Sequence, residues 1–122
     1  MANIVARYDT LASFTPDRFH PIPFGQSDRS RALLVCLEPG QFIPVHAPGV
    51  DIVFIILEGE GTLVAGDREE LVGPGAIAFA AAGEARGLLA RTRLVAVHVV
   101  SPPPTETDHA AVMAGLARGS WR

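Results

Sequence analysis

The stretch Gly40-Gln-Phe-Ile-Pro-Val-His46-Ala-Pro48-Gly-Val-Asp-Ile52-Val-Phe-Ile-Ile-Leu-Glu58-Gly59 decides how the chain is read. It holds two apolar runs, residues 41–46 and 51–57, parted by Ala47-Pro48-Gly49 and closed by glycine. Runs this short, rich in β-branched residues and bounded by Gly and Pro, predict strands rather than helices. Proline ends ladder pairing because it has no N–H to donate, and glycine reaches the positive φ that tight turns need. In a strand every second side chain shares a side. Pro44, His46 and Pro48 therefore share one side of the first strand, and Ile52, Phe54 and Ile56 one side of the next.

The same punctuation extends outward. Residues 31–38 predict a strand that Pro39-Gly40 ends. Residues 62–65 and 69–72 flank a hairpin turn at Gly66-Asp67-Arg68, 76–80 follow Gly73-Pro74-Gly75, and 86–90 and 94–100 flank Arg91-Thr92-Arg93. Short, evenly spaced strands with no long helix between them predict an all-β sandwich or barrel and exclude a parallel α/β sheet. Residues 1–30, with Pro16, Pro21, Pro23 and Gly25, predict an arm carrying a strand near 19–24. After Ser101-Pro102-Pro103-Pro104 the pattern changes. Thr105 can cap a helix, Val112, Met113 and Leu116 fall on one face of it, and Gly119 suits its end. Trp121 either pins the tail or stands exposed. The organisation expected is one domain: an arm over 1–30, a barrel over 31–104, and a helix and tail over 105–122.

With a net charge of −3 and no clustered positive charge, nucleic acid is not an expected partner. The chain has no lysine, which excludes Schiff-base chemistry on a lysine. Cys36 is the only cysteine, so no intrachain disulfide can form, and its apolar run predicts a small buried hydrophobe rather than a reactive thiol. The first nine residues lack a basic head and long apolar core, and no apolar run approaches the ~20 residues of a spanning helix. The expectation is a soluble, cytoplasmic protein with no membrane partner. No serine sits in a nucleophile constellation, and Gly59-Glu60-Gly61 and Gly73-Pro74-Gly75 lie between strands rather than opening a helix, so neither is a phosphate cradle.

From Ala32 to Pro103 the glycine and proline pattern resembles the cupin superfamily. Gly40 through Gly59 is similar to its first motif, and Gly73-Pro74-Gly75 through Gly83-Glu84-Ala85-Arg86 to its second. The resemblance implies a small antiparallel jelly-roll barrel with a central pocket, and a homodimer. In that family a His-x-His pair, a glutamate and a later histidine hold a metal. Here the four positions carry His46, Pro48, Ile52 and Arg86. Proline and isoleucine offer no donor and arginine stays protonated, so no metal cofactor is expected. The resemblance also turns His98 inward, with Leu94, Ala96 and Val100. His46, His98 and water then form the one rearranged zinc set worth weighing, against the alternative of a buried, hydrogen-bonded His98. Strand alternation sends Asp51 to the opposite side from Ile52, and His20 and His109 read as surface residues without a role.

A guanidinium at the inward position of Arg86 is costly unless it is paired. Three outcomes are open: an internal partner among Glu84, Glu38, Glu60 and Asp51, an anionic ligand held bidentately, or a slip that lets the side chain reach solvent. The expected pocket comprises His46, Pro48, Ile52, Phe54, Arg86 and His98. The first functional expectation is a barrel that binds a small, anionic organic molecule without a metal. The second is a metal-independent isomerase or lyase with His46 or His98 as base and Arg86 holding developing negative charge. The third is a metal-dependent oxygenase with rearranged ligands.

Overall fold

The computed structural model describes residues 4–122; the first three positions of the N-terminal arm, Met1 to Asn3, lie outside the described residues. A single-turn helix α1 (Tyr8–Leu11) leads into β1 (His20–Gln26), β2 (Arg31–Leu37), β3 (Phe42–His46), β4 (Asp51–Glu58) and β5 (Gly61–Ala65). Then come β6 (Arg68–Val72), β7 (Ile77–Ala80), β8 (Arg86–Ala90), β9 (Leu94–Ser101) and the closing helix α2 (Glu106–Arg118). The strands form two antiparallel sheets, β1-β2-β9-β4-β7 and β3-β8-β5-β6, which face each other as a jelly roll.

Strand alternation builds the core. On β4, Ile52, Phe54 and Ile56 are buried while Asp51 and Val53 are exposed. On β9, Leu94, Ala96 and Val100 join the same core, as do Leu33, Val35 and Leu37 of β2. β2 reads as an unbroken apolar run because both its faces are covered. Leu34 and Cys36 of its outer face lie under Leu11, Ala12, Phe14, Ile22 and Phe24 of the N-terminal segment. Burial raises the Cys36 thiol pKa, so it stays an unreactive thiol.

The N-terminal segment thus contributes a whole sheet strand. Pro21 and Pro23 are tolerated in it because β1 lies at the sheet edge and the two residues share one side of the strand. His20, expected at the surface, is half-buried on this strand, and its Nδ1–H donates to the Ser13 carbonyl at 2.9 Å.

Leu37, Leu94, Ile56, Leu63 and Ala90 pack one end of the barrel solid. At this end Gly59 has φ +79°, and a Cβ there would collide with the Arg93 carbonyl. The other end is closed by α2. Thr105 and Asp108 form a capping box at its start, and Gly119 ends it in the left-handed conformation at φ 67°. The helix lies on β3 with Gly115 against Pro44, where a Cβ would overlap the proline ring. Beyond it the Val45 N–H donates to the Trp121 carbonyl at 2.8 Å, so the tail is pinned. Among the described residues no helix is long and apolar enough to cross a membrane.

Candidate functional site: a cavity under the C-terminal helix

Between the sheets, at the end that α2 covers, lies a cavity of about 410 Å³. His46, Pro48, Ile52, Phe54, Arg86 and His98 all line it. The register explains the gathering. His46 of β3 sits opposite Arg86 of β8, and Phe54 of β4 opposite His98 of β9, with Ile52 beside Val100 one step along. His98 and Phe54 meet edge to face, ring centres 5.8 Å apart.

His46 is held in one tautomer. Its Nδ1 lies 2.7 Å from the Pro44 carbonyl, which can only accept, so the proton is on Nδ1 and the lone pair on Nε2. Burial lowers its pKa, the Pro44 bond works the other way, and Arg86 lowers it further. His46 is therefore a neutral acceptor at neutral pH.

Arg86 takes the internal outcome, through backbone rather than carboxylate. Nη2 donates to the Ala81 carbonyl at 2.9 Å and to the Glu84 carbonyl at 3.1 Å, and Nε donates to the latter at 3.2 Å. The residue is 2% exposed, which rules out the solvent-reaching arrangement. The carboxylates expected as partners work elsewhere. Glu38 pairs with Arg93 at 2.8 Å, Asp51 accepts from the Ala82 N–H at 2.8 Å, and Glu84 accepts from the Ala81 N–H at 2.7 Å. Burial lowers the Arg86 pKa, and Asp51, Glu84 and Asp108 offset this from a distance. The guanidinium thus clamps the turn at 81–84 from inside, leaving Nη1 buried without a partner.

His98 is half-buried in the cavity wall. Its Nδ1 has no partner, so it is buried but not hydrogen-bonded there. Burial, then the charges of Arg31, His46 and Arg86, push its pKa down to about 4.

Arg31, which the sequence reading passed over, lines the same cavity. It is inward because it shares the parity of Leu33, Val35 and Leu37 on β2; the sequence gives no sign of this, since Leu34 and Cys36 of the other parity are equally apolar. Its Nε is buried without a partner. The covering elements add Arg18, Glu106, Asp108, His109 and Met113. Arg18 reaches across with Nη1 2.9 Å from Met113 Sδ. His109, expected to have no part in the barrel, is exposed but borders the cavity.

A metal does not fit this donor set. Of the four family positions only His46 has a donor atom, and among the described residues no group of three or more His, Cys, Asp or Glu converges. His98 adds a second imidazole, yet Arg31 and Arg86 both act on it as neighbouring positive charges that oppose a cation.

The sequence between residues 33 and 100 matches the family model described as Cupin domain. Among solved structures, the chain is similar to the TT1209 protein from Thermus thermophilus at 35% identity and a TM-score of 0.76, over 80% of this chain and 96% of that one. It is also similar to an RmlC-like cupin protein from Desulfovibrio desulfuricans at 24% identity and a TM-score of 0.68, over 84% and 96% of the two chains. KdgF from Halomonas sp. shares the fold at 15% identity and a TM-score of 0.67, over 75% of this chain and 86% of that one. No curated protein sequence matches the chain.

Proposed function

This chain belongs to the cupin superfamily, and from that premise we propose that it is a binding barrel that holds a small organic anion without the metal common in such folds. One observation carries the reading. A cavity of about 410 Å³, within the range of roughly 300–1,000 Å³ usual for small-ligand sites, has mostly apolar walls and concentrates its polar groups at His46, His98, Arg31 and Arg86. Apolar walls with a few convergent polar groups suit recognition of an organic molecule, and neutral imidazoles beside guanidinium groups favour negative charge over positive.

The test is elemental analysis of untagged protein, followed by a thermal-shift screen of small organic acids. Metal well below one equivalent per chain, with a Tm raised by some of the acids, is expected. One tightly held metal per chain, removed by a chelator and lost in His46→Ala, would overturn the reading.

A second reading rests on the His46 tautomer. With Nδ1–H committed to Pro44, Nε2 offers a lone pair to whatever occupies the cavity, as a general base requires. On that reading the chain is a metal-independent isomerase or lyase. His46→Ala would then abolish turnover of a bound acid while leaving its affinity and the Tm nearly unchanged.

A further inference from the structure

Of the charged side chains around the cavity that are withdrawn from the surface, one is left without a partner. Arg86 is committed to the carbonyls of Ala81 and Glu84. Arg18 lies at the rim against Met113. Asp108 closes the capping box of α2, accepting from the Thr105 N–H at 3.0 Å. Arg31 alone among these has neither a side-chain hydrogen bond nor a carboxylate partner within the described residues, although its side chain is half-buried and its Nε fully so. A guanidinium whose Nε is shut away without a partner, in the wall of a cavity, marks a place where a ligand can supply the missing acceptor and charge.

We propose that Arg31 is the anion anchor of the cavity, and that the ligand is a monocarboxylate with an apolar aliphatic or aromatic body. This deepens the reading of the cavity as a binding site and rests on it.

Three features fix the class. A planar guanidinium matches a carboxylate in a bidentate pair. The free charge calls for an anion. The Arg86 charge is offset by Asp51, Glu84 and Asp108, and Arg31 is left without a hydrogen bond or carboxylate of its own, while His46 and His98 are neutral. A second anionic group on the ligand would meet Glu106 or Asp108, or the already committed Arg86. The remaining walls are apolar: around Arg31, Val100 is its direct strand partner and Ile52 the next across, with Leu33 and Phe54 one step deeper. Beyond the His98 ring, a carboxylate held at Arg31 therefore has mostly hydrocarbon beside it for the rest of the molecule.

The ring of His98 supplies a reporter. Arg31 is the largest charge acting to keep that imidazole neutral, so an anion paired with Arg31 relieves it and raises the His98 pKa.

The experiment is calorimetric titration of the full chain with octanoate and 3-phenylpropionate, each against its matching alcohol, and with succinate and inorganic phosphate. It is repeated on Arg31→Gln and Arg31→Lys, with His98 followed by NMR across pH. The expected result is that at least one of the monocarboxylates binds at least tenfold tighter than its alcohol. Arg31→Gln should remove that preference, so that acid and alcohol bind equally. Arg31→Lys should restore part of it, and carboxylate binding should raise the His98 pKa in wild type but not in Arg31→Gln. Equal binding of acid and alcohol by wild type, or an acid preference that survives in a folded Arg31→Gln, would overturn the anchor while leaving the cavity a binding site. Tighter binding of succinate or phosphate would overturn the ligand class. Binding of none of these probes, together with no hit in the wider acid screen, would overturn the binding-site reading and the anchor with it.

Discussion

Arg86 and His98 show how two inward residues on facing strands carry opposite burdens. Arg86 keeps its charge in the barrel by giving three hydrogen bonds to two carbonyls; its loss takes the side-chain donors from the Glu84 carbonyl, while the Ala81 carbonyl keeps the Glu84 N–H at 2.9 Å. Arg86→Met, which keeps most of the volume, is expected to lower unfolding free energy by about 1–3 kcal/mol, the cost of one carbonyl left without its donors. Urea denaturation measures this, and an unchanged midpoint would mean that the clamp adds nothing. His98 is neutral at rest, and the unfolded chain binds its proton more readily than the folded one. As pH falls from about 6.5 through about 4, the unfolded state gains protons that the native state refuses, and stability drops. A shift of this size corresponds to roughly 3 kcal/mol lost across that window. His46 acts in the same direction. His98→Gln should flatten the window relative to wild type, and parallel pH profiles for the two proteins would contradict the burial described. At this scale the sequence was partly legible. Spacing put His46 with Pro48 and Ile52 with Phe54 on shared sides, the family resemblance turned them, Arg86 and His98 inward, and all six line one cavity. The partners of Arg86 were not legible, because backbone carbonyls leave no mark in residue types. Arg31 was not legible: β2 is apolar at both parities, so spacing alone does not say that Arg31 shares the inner face with Leu33, Val35 and Leu37.

Among the elements, α2 governs access to the cavity, and its seat on β3 depends on the absence of a side chain. Gly115 sits mid-helix, where alanine is the better helix former by about 1 kcal/mol. At this position a methyl group overlaps Pro44, so the sign reverses. Gly115→Ala is expected to destabilise by about 1–3 kcal/mol through overpacking and to speed amide exchange over 105–118, as hydrogen exchange with mass spectrometry would show. A rise in Tm would mean that the helix shifts freely on the barrel. The strands and α2 were readable because their limits are chemical: Pro39-Gly40, Gly73-Pro74-Gly75, the Thr105 cap and Gly119 stand at the ends of elements the structure also has. Where the helix docks was not readable. That contact is set by the depth of Pro44 and the pairing of Val45 with Trp121, which join distant parts of the chain.

In the whole molecule the five-stranded sheet is apolar on both faces, and only part of its outer face is covered. The N-terminal segment shields Leu34, Cys36 and Val95. Beyond that cover, Val53 pairs across strands with Phe79 and Val99, and Ile55 with Ile77 and Val97. Phe79 is 59% and Ile77 77% exposed, both on β7, whose far side has no neighbouring strand among the described residues. A contiguous apolar stripe ending at an open sheet edge marks an association surface, since both features favour pairing with another chain. The homodimer expected from the family resemblance is proposed to form here, two copies meeting through β7 and the outer face of β4. Light scattering after gel filtration should then give twice the chain mass of 12.9 kDa. Phe79→Asp should return the monomer mass with an unchanged circular dichroism spectrum, because the side chain takes no part in either core cluster. A wild-type protein that remains monomeric at tens of micromolar, or a Phe79→Asp variant that remains dimeric, would place the contact elsewhere. The cavity lies on the inner face of this sheet, so the prediction also requires that dissociation by Phe79→Asp leave ligand affinity within about twofold, as expected for distant sites that do not share partners.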